Sequence, residues 1–322
     1  MSEHIENFRS SIDEDSTRED FPEITDSEFP IWRGTPTASS MADKYLLATI
    51  VLVIHLSFFF GGLVSGPEGE GQGKLILRAL VWLIDSTGVT GFLISMLFLT
   101  KINHYANFST SGKWMTSWLL FSSLIPFFWK LMDLFQWAGG LVGSDFSNPL
   151  PQWRLIWFAI LGVFSFSVIV IFTILYQRSF RYAITDKRIH IRQSFLYLDT
   201  SSHGISYSKV ENLKADPTIL GRILGFGNVH VVTGSGVGLQ VEALGANVGA
   251  SAEIKGAPTG RLRFFSLIFG WISWQRERTV MATDPSDCLF GIRRPMEVYR
   301  LINELMDASV GPAGIQTTKE IE

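Results

Sequence analysis

Apolar residues fill four stretches of the chain almost without interruption, about 45–65, 79–100, 114–136 and 154–177. Each is close to the ~20 residues that an α-helix needs to cross a hydrocarbon core of ~30 Å, and at that length only a helix satisfies its own backbone in lipid. The first stretch is broken only by His55 and the fourth carries no charge from Leu155 to Gln177, whereas the second holds Asp85 and the third Pro126 and Lys130. Ionisable groups at such depth face protein rather than lipid. Four transmembrane helices are therefore predicted over 43–177.

From Phe180 the period changes. RYAIT, RIHIR, FLYLD, GISYSKV and NVHVVTG are short β-favouring runs, several of them alternating, which predicts antiparallel strands. Thr185-Asp186-Lys187-Arg188 between the first two reads as a tight hairpin turn. Pro295 opens a segment in which Val298, Leu301, Ile302 and Leu305 recur at helical spacing, predicting a C-terminal amphipathic helix. The expected architecture is a membrane bundle of four α-helices followed by a small sheet or barrel capped by one helix.

Composition agrees with a membrane protein: of 322 residues, 47% are hydrophobic and 18% charged. The net charge of −3 argues against bulk binding to nucleic acid, but it conceals an asymmetry. Residues 1–42 hold ten Asp and Glu against three Arg, which predicts a disordered acidic N-terminal tail; the alternative is that this tail docks on a basic face. Residues 309–322 read as a C-terminal tail. The opening MSEHIENFRSSIDED is unlike a secretory signal, so the first apolar stretch is expected to stay in the mature protein. Cys288 is the only cysteine and cannot form an intramolecular disulfide. Arg178, Arg181, Lys187, Arg188 and Arg192 follow the fourth apolar stretch, whereas 134–152 has Asp145 and no Lys or Arg. Positive charge stays inside, so the expected orientation is a multi-pass cell-membrane protein with both termini cytoplasmic.

Three sets of residues carry candidate chemistry. Lys187, Arg188 and Arg192 lie just past the last apolar stretch and Lys209, Lys214 and Arg222 join them if the β region folds as proposed. They could bind anionic lipid headgroups or merely fix topology. RLRFFSLIFGWISWQRER, too short to span, offers Phe264, Phe265, Phe269, Trp271 and Trp274 between arginines, as an interfacial anchor or as buried strands. Asp85 and Lys130 sit at matched depth near the outer surface, with His55 nearer the midplane, so an intramembrane Asp85–Lys130 pair is expected; the alternatives are snorkelling of Lys130 to the outer headgroups and a local Lys130–Asp133 pair. DPTILGRILGFG reads as a structural turn whose Ile219, Leu220, Ile223 and Leu224 form an apolar face; its glycines do not fit a dinucleotide loop. The six histidines are scattered, and no hydrolytic triad, metal cluster or carboxylate pair stands out. The expectation is a non-enzyme with no cofactor and no metal.

YAITDKRIHIR, ISYSKVENLKADPTILGRILGFGNVHVVTGSG and LFGIRRPMEVYRLINEL together resemble the bacterial and archaeal membrane-anchored PH-like family of the YdbS/YdbT type, a domain of unknown function. The resemblance covers about 178–308 and rests on Tyr182-x-x-Thr185-Asp186-x-Arg188 with Leu220-Gly221-Arg222-x-x-Gly225-Phe226-Gly227. It implies a PH-like β-barrel with a C-terminal α-helix, joined to transmembrane helices, and no catalytic residue. Two departures are Ser194, where the family usually has Gly, and an insertion at about 237–287. The function expected is a lipid- or protein-binding and assembly module at the membrane surface, with membrane lipids, a protein partner or a homo-oligomer as partners. The alternative is a small transporter or channel-like protein in which His55, Asp85 and Lys130 line a polar path regulated by the PH-like domain.

Overall fold

The computed structural model describes residues 3–61, 63, 72–106, 113–143, 146–195, 199–217, 219–234, 238–244, 276–281 and 284–310. The chain divides into two compact units, one of residues 35–181 with 193–200 and one of 1–34, 182–192 and 201–322.

The first unit is helical. A 3₁₀ turn, Ala38–Met41, leads into α3 (Ala42–Gly61), followed by α4 (Gln72–Ala106), α5 (Lys113–Leu141) and α6 (Ile156–Arg178). Helix α3 packs mainly on α6, and α4 on α5 and α3. Their shared core holds Leu47, Val51, Phe58, Phe92, Met96, Met115, Leu119 and Phe158. Gly162 sets the approach of α6 to α3, because a Cβ there would stand 2.5 Å from that of His55. The outward faces are apolar too: Val53, Phe98, Phe121 and Val163 are all exposed. A bundle that is apolar all round suits lipid rather than water.

Among the described residues three helices are long and apolar enough to cross a membrane, Ala38–Gly61, Trp114–Leu141 and Ile156–Arg178. The sequence predicts four. The missing one falls in α4, whose apolar run contains Asp85 and is bent at Gly88, where φ 49° and ψ −129° leave helical conformation. Pro126 is accommodated inside α5.

The second unit is mostly β. Its strands are β1 (Pro30–Gly34), β2 (Phe180–Thr185), β3 (Arg188–Phe195), β4 (Asp199–Ser206), β5 (Val210–Asp216), β6 (Phe226–Thr233), β7 (Leu239–Leu244), β8 (Arg276–Met281) and β9 (Leu289–Arg293). They form three sheets, ordered β1-β2-β3-β4, β5-β6-β9 and β7-β8. The expected closed barrel is thus not what the described residues form: a 3₁₀ turn at Tyr207–Lys209 follows β4, and β5 pairs with β6 instead. Strand β6 is buried throughout because β5 and β9 flank it and helix α8 (Pro295–Val310) packs on it. The helix is the one predicted, with Val298, Leu301, Ile302 and Leu305 all buried. A short helix, α7 (Ile219–Leu224), joins β5 to β6.

The acidic N-terminal segment is folded, contrary to the disordered tail expected from its composition. It forms α1 (Glu3–Ser10), α2 (Glu14–Asp20) and β1, which pairs antiparallel with β2 from Pro30↔Thr185 to Gly34↔Tyr182. Composition averages over the few residues that decide the matter. Ile5, Phe21, Ile24 and Ile31 are buried, and edge pairing satisfies the backbone of β1, so the segment needs no core of its own.

Candidate functional site

The β2–β3 hairpin turns at Thr185–Arg188 as the sequence predicts. The Thr185 hydroxyl oxygen accepts from the backbone N–H groups of Lys187 (3.2 Å) and Arg188 (3.0 Å), which holds the turn from inside. The N-terminal segment locks onto this turn through a reciprocal pair. Phe29 N–H donates to Asp186 Oδ1 at 2.8 Å, and Asp186 N–H donates to the Phe29 carbonyl at 3.1 Å.

Glu28 lies at the centre of the contact, with its side chain 1% exposed. Its Oε2 is 3.1 Å from His190 Nε2 and 3.2 Å from the Thr185 hydroxyl, and its Oε1 accepts from the Thr25 hydroxyl at 3.1 Å. A carboxylate only accepts, so Nε2 is the nitrogen of His190 that carries the shared proton. Nδ1 of His190 is buried without a hydrogen-bond partner, and its ring meets Phe21 edge-on at 6.3 Å. Burial pushes the Glu28 carboxyl up, but the hydrogen bonds from His190, Thr25 and Thr185 and the attraction of His190 outweigh it, leaving Glu28 below the ordinary glutamate range.

The three basic residues closest to the turn all meet this segment. Lys187 Nζ donates to Ser27 Oγ at 3.0 Å, and Arg188 Nε stands 3.6 Å from Glu28 Oε1. Arg192 donates to the Asp20 carbonyl and lies 3.8 Å from Glu23, which in turn accepts from Ser202. Arg18 braces the segment from within, donating to the carbonyls of Glu28 (2.7 Å) and Thr25 (3.2 Å) and pairing with Glu14. Arg33 pairs with Asp20 and donates to Ser16 Oγ.

The other expected site residues are elsewhere. Lys209 and Arg222 are exposed, and Lys214 pairs with Asp216 at 3.3 Å on the surface of β5. Six basic residues were expected to share one headgroup site; the structure gathers Lys187, Arg188 and Arg192, and they already face an acidic segment. Phe264, Phe265, Phe269, Trp271 and Trp274 lie outside the described residues. In the helical unit Lys130 is 3.8 Å from Asp133, one turn along the same helix, and both are exposed, while the Asp85 side chain lies outside the described residues. His55 is buried, with Nδ1 2.7 Å from the Val51 carbonyl and its ring 4.7 Å from that of Phe92.

Glu28, His190 and Asp186 were not singled out from the sequence as site residues. The signal available was local: Phe29-Pro30-Ile31-Trp32 is a β-favouring patch inside an acidic stretch, and His190 alternates with Ile189 and Ile191. Among the described residues no group of three or more His, Cys, Asp or Glu could hold a metal. Cys288 is buried, and burial together with Asp284 and Asp287 pushes its thiol far up.

Residues 132–261 match a known family model. It is that of the bacterial PH domain. The matched region starts within α5, takes in α6 and runs through β2 to β7, so the chain carries a PH-like domain whose first strands include the hairpin described above. No curated protein and no solved structure matches the chain. A PH-like domain points to a lipid- or protein-binding module.

Proposed function

We propose that this chain is an integral membrane protein of the membrane-anchored YdbS/YdbT type that crosses the bilayer more than once through its apolar helices. Its cytosolic PH-like domain acts as a binding and assembly module at the membrane surface, by contact rather than catalysis. The observation that carries the reading is the hairpin: Lys187, Arg188 and Arg192 hold an acidic peptide segment, Asp20 to Phe29, against the PH-like sheet. A surface that binds its own acidic segment this way is built to recognise acidic partners, whether a protein segment or anionic headgroups. Three apolar helices and the bacterial PH domain match support the membrane setting.

The test compares the full chain with a variant lacking residues 3–34, both purified in mild detergent, by identifying the lipids and proteins that co-purify. The variant is expected to retain anionic lipid or an acidic protein that the full chain does not; identical complements would sink the binding reading. For topology, Asp145→Cys should react with an impermeant thiol reagent from outside and Lys187→Cys should not. The opposite pattern would reverse the orientation.

A further inference from the structure

The sequence assigns α7 an apolar face, and in the structure that face is bare. Ile219, Leu220, Ile223 and Leu224 are 81%, 54%, 76% and 56% exposed, although the helix rests against β6. Two further segments, distant in sequence, meet at this end of the β5-β6-β9 sheet. The Arg294 N–H donates to the Gly225 carbonyl at 3.2 Å, Arg293 pairs with Phe226, and a Cβ on Gly227 would stand 2.9 Å from both Pro217 and Pro295. This brings the β9–α8 junction beside the C-terminal end of α7. The junction adds Met296, 58% exposed, to the aliphatic patch.

Cations rim the patch. Arg222 projects from α7 itself and is exposed, as is Arg293. The Arg294 side chain is 77% exposed, with Glu297 at 3.4 Å. Arg294 also takes a positive φ of 51°, an uncommon backbone for a residue with a side chain, at the point where the chain turns from β9 into α8. Five exposed aliphatic side chains bordered by arginines have the make-up of a surface that enters the lipid interface, apolar groups among the acyl chains and guanidinium groups at anionic headgroups.

We propose that α7 and the β9–α8 junction form a seat for an anionic lipid interface. The inference rests on the membrane reading above, and the chain itself favours lipid as the occupant. One residue, Ser179, separates the membrane-length helix α6 from strand β2, so the domain is tethered at a bilayer surface. Self-association through the same patch would bring Arg222, Arg293 and Arg294 of one copy towards those of another, and like charges oppose that pairing.

The test uses the full chain carrying Ile223→Cys, labelled with an environment-sensitive fluorophore and reconstituted in phosphatidylcholine–phosphatidylglycerol vesicles. Cys288 is 0% exposed and does not compete for the label. A nitroxide carried on lipid should dim the probe at 223 at least about twofold more than the same probe at Ser208→Cys, which is exposed on the 3₁₀ turn after β4. Adding Arg222→Glu and Arg293→Glu should remove that difference. Dimming of position 223 by aqueous iodide and not by lipid nitroxide would overturn the proposal. Protection from both quenchers that disappears on diluting the protein would also overturn it, by identifying a second copy as the occupant. Alkaline carbonate extraction of the same vesicles separates the two layers of the argument. Chain retained with a water-exposed probe defeats this inference alone, whereas chain released by carbonate defeats the membrane reading and this inference with it.

Discussion

Two cationic regions of the β unit have opposite surroundings. At the β2–β3 hairpin Lys187, Arg188 and Arg192 each meet a polar group of the N-terminal segment, and Glu28 is buried among them. At the far end of the other sheet Arg222 and Arg293 border aliphatic side chains that stand in the open. The difference shows that a basic residue's neighbours, not its charge, decide its role. A hairpin whose cations are matched by a hydroxyl, a carbonyl and carboxylates of the segment is a closed contact; arginines around an apolar patch are an open one. Perturbing the first should cost stability, and perturbing the second should cost association but not folding.

Glu28→Ala gives the largest expected effect. It leaves His190 Nε2 buried without its acceptor, while the Thr185 hydroxyl keeps the Arg188 carbonyl at 3.1 Å, and should lower the opening free energy of β1, read by hydrogen exchange over residues 30–34, by about 3 kcal/mol. A change confined to a few tenths would mean that the segment is held by its apolar anchors alone. A double-mutant cycle with Glu28→Gln and His190→Ala sharpens this, with an expected coupling of about 1 kcal/mol; additive losses would remove the pair from the account.

Acid should loosen the same contact. Because the folded-state value of Glu28 lies below its unfolded one, the contribution of the ionised carboxyl is fully present above the ordinary value of about 4.3 and is lost as pH falls through the lower folded-state value. Protease sensitivity of residues 21–34 should therefore rise only under acid conditions below that ordinary value. A rise between pH 8 and 6 would point to another group. The smallest stability effect belongs to the open region. Ile219→Ser with Ile223→Ser should move the unfolding free energy in detergent by less than about 0.5 kcal/mol per site, because both side chains are already in solvent. A larger loss would show that the patch is packed.

Much of this contrast was legible in the sequence, and the missing parts have a common cause. The helical bundle, the Thr185–Arg188 turn and the Val298–Leu301–Ile302–Leu305 face of α8 follow from local period and turn chemistry, which the chain states residue by residue. The fold of the acidic segment does not, because Phe21, Ile24 and Ile31 find their partners in strands about 150 residues later, as does Glu28, whose contact with Thr185 spans 157 positions. The same distance hid the open patch: Arg293, Arg294 and Met296 reach α7 only through the β6–β9 pairing. Of the expected four spans, three are found among the described residues, and hydropathy does not register the bend at Gly88 in α4. Lys130 lies 3.8 Å from Asp133, a pair one turn apart on the same helix that needs no tertiary contact, while the Asp85 side chain expected to pair with it lies outside the described residues.

The central claim, that the acidic segment occupies the basic hairpin of its own PH-like domain, is tested most directly by cross-linking in the full chain. Ser27 Oγ and Lys187 Nζ lie 3.0 Å apart, so Ser27→Cys with Lys187→Cys should be joined by a short bis-maleimide within one chain, in membranes at neutral pH, with a yield independent of protein dilution. Glu28→Lys in the same background should suppress the product. Absence of the intrachain product in the unperturbed background, or a product found only between chains, would contradict the account.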